Sequence, residues 1–407
     1  MFGNNNVVWN VSTASLIAVS LLIAAGTAQA DFIFGTAVHL GPPLNGPSAV
    51  GEPSISADGL SLYFNTSSGD IRVATRATVN DDWETPVKLG TSVNHADWDA
   101  GASVSADGLS LYFDSYRPNG TNNWPHIYVS TRENRDAPWG PAETLGPVVN
   151  WGSGNPSISS DGLTLYFASD RPGSLGPADI YMTTRPSTSA PWETPINLGA
   201  PVNSSSHDGE PYISPDDRAL FFTRSGDIWV AVRPTKNDDW GNPIRLGPEV
   251  NSSDSDFGPC VSSDGSMLYF SSSRPGKLGD IDIWQAPIHP VVDFTGDYRV
   301  DIEDLILLIE HWGQDELAYD MGPMPWGDGV VDKADLEVLM SYWGQEVYDP
   351  HLLAHWKLDE IEGDVAYDSA AENDAVVIGD ATWEPGNGTI GGSLQFDGID
   401  DYIDTFF

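Results

Sequence analysis

Five stretches of this chain gather residue types that do chemistry: Gly46 to Glu52, His95 to Gly101, Trp151 to Asn155, Ser204 to Glu210 and Ser252 to Gly258. Carboxylates held in pairs at a controlled separation split glycosidic bonds, one as acid and the other as base or nucleophile. Tryptophan faces stack on sugar rings. Glu52, Asp99, Asp208 and Glu210 are therefore the catalytic candidates, and His95, Asp97, Trp98, Trp151, Asn155, His207 and Asp256 are candidate ligand contacts. Glu52 and Glu210 each precede a proline, a position where a carboxylate equally serves backbone donors. No Ser-His-Asp order, phosphate loop, dinucleotide fingerprint or zinc spacing stands out.

What must position these stretches is a phrase that comes after each of them: PSISADGLSLYF from Pro53, ASVSADGLSLYF from Ala102, PSISSDGLTLYF from Pro156, PYISPDDRALFF from Pro211 and PCVSSDGSMLYF from Pro259. A recurrence of roughly fifty residues marks a solenoid or a propeller. Alternating residues around Asp-Gly read as a hairpin, because both turn positions tolerate positive φ. A third strand comes next in DIRVATR, HIYVSTR, DIYMTTR and DIWVAVR, and a fourth in Trp-x-x-Pro-x-x-Leu-Gly at Trp83, Trp139, Trp192 and Trp240. Four strands per repeat make a propeller blade.

The fifth copy stops at DIDIWQAPI, without a fourth strand of its own. FGTAVHLGPPLN, from Phe34 to Asn45, lines up with WETPVKLGTSVN, from Trp83 to Asn94. The N-terminal strand is thus expected to complete the last blade and remove the open edges of the ring. The chain reads as mainly β: a five-bladed β-propeller over 31–289, a small α-helical calcium-loop pair over 290–345 and an incomplete β jelly roll over 351–407. Loops that vary between otherwise matching repeats present surface, so the five stretches converge on one mouth.

The repeated Pro-x-Ile-Ser-x-Asp-Gly, Leu-Tyr-Phe, Ser-x-Arg-Pro-Gly and Asp-Ile steps resemble the TolB-type, WD-repeat-like propellers. Asp217 replaces the turn glycine in the fourth copy, and Arg-Pro-Gly shrinks to Ser-Gly in the first and fourth. Other repeated residues read as scaffold. The tryptophans are expected to pack between blades, and Arg76, Arg132, Arg185 and Arg233 to pair with blade carboxylates. Arg117, Arg171 and Arg274 either present guanidinium to an anionic ligand or belong to a Pro-Gly turn.

Residues 1–30 carry an apolar run from Leu16 to Ala25 and end in Ala28-Gln29-Ala30, the small-residue pattern of a signal peptidase site. The expectation is an exported protein, secreted or periplasmic, with no membrane span once the signal is removed. Against 59 acidic residues stand 18 basic ones, a formal charge of −41. Such a field repels nucleic acid and attracts calcium and cationic surfaces, and it also suits a saline habitat. Cys260 is the single cysteine, so no disulfide forms within the chain, and an inert buried thiol is expected.

After the repeats come two acidic loops, each leading into a helical pattern: Leu305, Leu308, Ile309, Trp312 and Leu336, Leu339, Met340, Trp343. In the first loop Asp293, Thr295, Asp297, Asp301 and Asp304 fall at positions 1, 3, 5, 9 and 12 of a calcium loop, with the Arg299 carbonyl at position 7. The loop pair with its Trp-Gly helix ends resembles a dockerin, the module that plugs into cohesin domains of scaffold proteins. That resemblance implies Ca²⁺ ligands at these residues and at Asp328, Asp332 and Asp335, and a cohesin contact at Ile302-Glu303 and Lys333-Ala334. Tyr298 stands where a loop glycine is usual. In the second loop Met324 and Trp326 occupy positions 1 and 3, with Asp320 able to reach in across an insertion.

The last segment, with HLLAHWKLDEIEGDVAYDSA and GGSLQFDGIDDYI, resembles the opening of a laminin-G, concanavalin-type jelly roll. So short a piece cannot bury a two-sheet core alone. Together the resemblances imply an extracellular propeller that binds a polysaccharide or other extracellular ligand, with calcium-dependent attachment to a cohesin-type scaffold. Two alternatives stand beside it: a glycoside hydrolase or lyase using the mouth carboxylates, and a TolB-like protein-interaction propeller in the cell envelope.

Overall fold

The computed structural model describes residues 32–118, 125–295, 299–314, 319–322, 330–345 and 347, and the short stretches 365–366, 375–379, 381–384, 393–395 and 402–404. Residues 1–30, expected to be a signal peptide, lie outside the described residues, as do Asp297 and Asp328. No helix among the described residues is long and apolar enough to cross a membrane.

Two short N-terminal strands come first, β1 (Phe32–Phe34) and β2 (Val38–His39). Blade 1 holds β3 (Val50–Ile55), β4 (Ser61–Thr66), β5 (Ile71–Thr75) and β6 (Val87–Lys88). Blade 2 holds β7 (Asp99–Val104), β8 (Ser110–Ser115), β9 (His126–Thr131) and β10 (Glu143–Thr144). Blade 3 holds β11 (Ser153–Ile158), β12 (Thr164–Ser169), β13 (Asp179–Thr184) and β14 (Ile196–Asn197). Blade 4 holds β15 (Asp208–Ile213), β16 (Ala219–Arg224), β17 (Asp227–Val232) and β18 (Ile244–Arg245). Blade 5 has three strands of its own, β19 (Asp256–Val261), β20 (Met267–Ser272) and β21 (Asp282–Pro290). Each of the first four is an antiparallel sheet in chain order.

Closure is as the repeat alignment requires, with one addition. Val38 and His39 pair with Gln285 and Trp284, the place of a fourth strand, while Phe32 to Phe34 also pair with Pro290 to Ile288. His39 meets Asp282 at 2.7 Å, as Lys88 meets Asp70 and Arg245 meets Asp227 within their own blades.

The Leu-Tyr-Phe triads have no polar face, because a blade is covered on both sides. Leu111 and Phe113 of blade 2 pack with Tyr63 and Ile71 of blade 1, whereas Tyr112 packs with Leu165 and Phe167 of blade 3. The tryptophans do lie between blades: Trp139, Trp192 and Trp240 meet Tyr63, Tyr112 and Tyr166 edge-on at 6.3 to 6.5 Å. The arginines after β5, β9, β13 and β17 differ from expectation. Arg76, Arg132, Arg185 and Arg233 lie over the rings of Trp83, Trp139, Trp192 and Trp240 at 4.1 to 4.2 Å and donate Nε to turn carbonyls. A guanidinium on an indole face needs no carboxylate. Cys260 is buried and its thiol is pushed up to about 12 by that burial, which keeps it inert.

A buried asparagine clips each blade together. Asn45, Asn94, Asn150, Asn203 and Asn251 each accept from the N–H, and donate to the C=O, of Ile283, Ile71, Ile127, Ile180 and Ile228, at 2.7 to 3.0 Å. In the first of these the partners are 238 residues apart.

Two compact units emerge: Ala30–Pro290 with Gly313–Asp335, and Val291–Trp312 with residues from Leu336 onward. Helix α1 (Ile302–Glu310) is capped by Asp301, and α2 (Lys333–Ser341) comes after the second loop. In α1 the buried residues are Asp304, Leu307 and Leu308, while Ile302, Ile306, Ile309 and Trp312 are exposed, so the covered face is rotated from the expected stripe. Among the described residues beyond 345 are the short strands β22 (Val365–Ala366), β23 (Ala375–Ile378), β24 (Thr382–Glu384), β25 (Ser393–Gln395) and β26 (Tyr402–Asp404), with β23 pairing β22 and β26, and β24 pairing β25. Most of the two motifs behind the jelly-roll reading lies outside the described residues.

Asn45→Ala leaves the N–H of Ile283 without its acceptor at the seam, while the Ile283 C=O keeps the Leu40 N–H at 3.3 Å. The substitution is expected to lower unfolding free energy by about 1–3 kcal/mol in urea titration, the cost of one orphaned buried backbone group. An unchanged midpoint would show that the seam does not depend on this clip.

Candidate functional site

The innermost strand of every blade breaks register at the same place, between Gly51 and Ser54, Ala100 and Ser103, Gly154 and Ser157, Gly209 and Tyr212, and Phe257 and Cys260. At each break one residue takes a left-handed conformation: Glu52 (φ 51), Gly101 (φ 59), Asn155 (φ 49), Glu210 (φ 50) and Gly258 (φ 60). Glycine does this freely, whereas Glu and Asn do so at a cost of about 1 kcal/mol or more. In three blades out of five a strained residue therefore aims a polar side chain at the axis. The channel they line has a volume of about 40 Å³, room for a few waters.

The carboxyl of Glu52 accepts from Gly101 N–H at 2.8 Å and is bonded by the Asn155 side chain. Burial, then the charges of Glu210 and Asp114, push it up to about 8. Burial also raises Glu210, against the stabilising bonds from the Thr223 hydroxyl and Gly258 N–H. Asp114 rises to about 6 through burial, while Asn155 N–H donates to it at 2.9 Å. Glu52 and Glu210 are half-buried and line this channel. Near neutral pH this axial set retains at least one proton, and so offers hydroxyl donors and carboxylate acceptors together.

The other candidates divide into wall and rim. Asp99, Asp208 and Asp256 are fully buried and paired with Arg117, Arg224 and Arg274 at 2.7, 2.5 and 2.6 Å. Each also accepts from a loop N–H, of His95, Ser204 and Ser252. They stand in the wall, away from the Glu52–Glu210 pair. His95, Asp97, Trp98, Trp151 and His207 are exposed on the rim, with His95 and Asp97 paired at 2.8 Å. Sequence reasoning misses two residues. Tyr116 is exposed beside Trp98, its N–H bonded to the Trp98 carbonyl, but it is the variable position of Ser-x-Arg-Pro-Gly. Asp114 is signalled only by a charge in a strand position held elsewhere by Asn65, Ala168, Thr223 and Ser271.

The two acidic loops repeat one set of bonds. Asp304 accepts from the N–H groups of Phe294, Thr295 and Asp301, and Asp335 from those of Met321, Gly322 and Asp332. This equivalence puts Asp320, not Met324, at the start of the second loop, beside Asp293 in the first. Asp320 is buried and faces Arg218 at 3.4 Å. Of the residues expected to hold a cation in the first loop, Asp301 caps α1 by accepting from Glu303 N–H at 2.9 Å, and the Thr295 hydroxyl donates to Asp293 at 3.2 Å. Among the described residues no three carboxylate, imidazole or thiol groups gather as a metal cage.

No protein-family model matches the chain, and no curated protein sequence matches it. Solved structures similar to it include a protein assigned as TolB from Agrobacterium tumefaciens, with 19% identity and TM-score 0.40 over 64% of this chain and 86% of that one. An α-L-arabinofuranosidase from Lactobacillus brevis has 14% identity and TM-score 0.44, covering 62% and 93%. An oligogalacturonate lyase from Vibrio parahaemolyticus has 14% identity and TM-score 0.32, covering 63% and 69%.

Because Glu52 is raised in the fold, its contribution to stability is whole below about 4.5 and is lost as pH rises to about 8; Glu210 and Asp114 act in the same direction. Calorimetry is expected to show Tm declining across this window, and Glu52→Gln is expected to flatten the decline and to melt higher than the parent above pH 8. Parallel curves for the two proteins would contradict the protonated axis.

Proposed function

We propose that the propeller is a binding module of an exported protein, holding an extracellular polysaccharide across its mouth. The observation that supports this reading is the exposure of Trp98 and Tyr116 of blade 2 and Trp151 of blade 3, on loops flanking the inner strands of a propeller whose Glu52 and Glu210 line the channel. Aromatic faces take the apolar faces of sugar rings, and the carboxyls take hydroxyls. The channel is too narrow for a ring, so the chain of sugars lies over the mouth.

One observation favours the hydrolase or lyase reading. Glu52 and Glu210 share one channel, and burial raises both carboxyls, the setting in which a carboxylic acid keeps a proton to donate. The test is incubation with insoluble and soluble polysaccharides, scoring retention and new reducing ends. Retention without cleavage is expected, weakened about tenfold by Trp98→Ala or Trp151→Ala, a loss of ~1.4 kcal/mol. New ends that vanish in Glu52→Gln or Glu210→Gln would make it an enzyme. Failure of every polymer would favour the third reading, a TolB-like protein partner.

The loops around Asp293, Thr295, Asp301 and Asp304, and around Asp332 and Asp335, form a dockerin-like calcium-dependent attachment module for a cohesin-type scaffold, with Asp297 and Asp328 completing the donor sets. The exposed Ile302, Ile306 and Ile309 of α1 support a docking face. The matching positions of α2 are Lys333, Glu337 and Met340, which favours one docking orientation. Chelation of Ca²⁺ is expected to reduce the helical circular dichroism signal while the propeller keeps its thermal transition. An unchanged helical signal would remove the calcium reading.

A further inference from the structure

We infer that the mouth is built for neutral glycans and turns polyanionic ones away. This rests on the reading of the mouth as a glycan site, and it comes from where the arginines at that end of the propeller are committed.

Recognition of a uronate or sulfate calls for a guanidinium or ammonium group free to pair with it. Blades 2 to 5 each place an arginine at the mouth end, and each is enclosed. Arg117, Arg171, Arg224 and Arg274 donate to the carbonyls of Val93, Val149, Val202 and Val250. They also bond Asp99, Ser153, Asp208 and Asp256. Their guanidinium planes lie over pairs of rings, Phe113 and Tyr128, Phe167 and Tyr181, Phe222 and Trp229, and Phe270 and Trp284, at 4.7 to 5.2 Å. In blade 4, which lacks Arg-Pro-Gly, Arg224 reaches the same place from the strand itself. All four are therefore internal ties, including Arg117, Arg171 and Arg274, which the sequence alone leaves available to an anionic ligand.

Of the remaining cations at this end, Lys88 and Arg245 are paired with Asp70 and Asp227. Arg72 is half-buried within β5, and Lys277 is exposed in the loop after Arg274, three residues from the exposed Asp280. The loop 119–124 has no Lys or Arg in its sequence. Against these stand the exposed carboxylates of Asp97, Asp170, Asp254 and Asp280 on the same end, and Glu52 and Glu210 within. A polyanion laid across this mouth meets Asp97, Asp170, Asp254 and Asp280 against the exposed Lys277, and no arginine or lysine on the axis. A neutral chain meets acceptors and donors for its hydroxyls and aromatic faces for its rings.

The test is retention of the full chain on a neutral glucan, a neutral mannan, polygalacturonate and chitosan. It is run at low salt and at about 1 M, where the screening length falls to about 3 Å. Long-range repulsion from the whole chain is then removed and only the mouth discriminates. The expected result is retention on a neutral polymer, reduced by Trp98→Ala, with polygalacturonate at least tenfold weaker at both salts. Polygalacturonate held as well as the neutral polymers at either salt overturns the inference and leaves the glycan reading standing. Retention on chitosan alone, lost with salt, overturns it as mere charge capture. Retention on none overturns the glycan reading itself and the inference with it.

Discussion

An asparagine amide bonded to both polar groups of one isoleucine does in each blade what a longer outer strand would otherwise do. The fourth strands of blades 1 to 4 are only two residues long and expose at least one side chain to solvent, so the ladder alone holds them weakly. The asparagine adds an exchange of two hydrogen bonds in the pattern of an antiparallel pair, in a buried setting where leaving either group unmet is costly. It also sets where the chain departs for the next blade, and hence where each mouth loop begins. At Asn45 the same device joins the two ends of the ring, and the N-terminal strands only extend what it anchors.

Much of this architecture is legible in the chain because it is said five times. Repetition exposes strand boundaries, and the missing fourth strand of the last copy points to Phe34–Asn45. The asparagines are equally repeated but do not announce themselves, since Asn before a variable loop reads as turn chemistry and its long-range role needs the third strand beside it. The arginines after the third strands mislead for a related reason. Charge in an acidic chain suggests carboxylate partners, but the repeat brings a tryptophan ring to each guanidinium first. In the two acidic loops the spacing is readable, while the start of the second at Asp320 depends on which backbone groups Asp335 caps.

The axial site is half visible in the same way. Glu52, Asn155 and Glu210 stand out as polar residues in varying loops, yet their shared role comes from a backbone conformation that only the register break reveals. Where the fold accepts glycine, in blades 2 and 5, it forgoes the side chain and keeps the turn relaxed. Where it places Glu or Asn it retains local strain and a raised carboxyl, an arrangement that stability alone would not favour. Asp99, Asp208 and Asp256, similar to the glutamates as sequence, are bound into the wall because an arginine comes to each from the end of the adjacent strand or the loop after it.

The seam has a mechanical side. β1 runs antiparallel to β21 with Phe32 opposite Pro290, so the chain enters and leaves the ring at one end of one ladder. Tension applied between Phe32 and Pro290 would load those hydrogen bonds one at a time, peeling them like a zipper instead of shearing them together. The remaining blades would carry none of that force until the ladder and the Asn45 clip had opened, which makes the seam the fuse of the propeller under load.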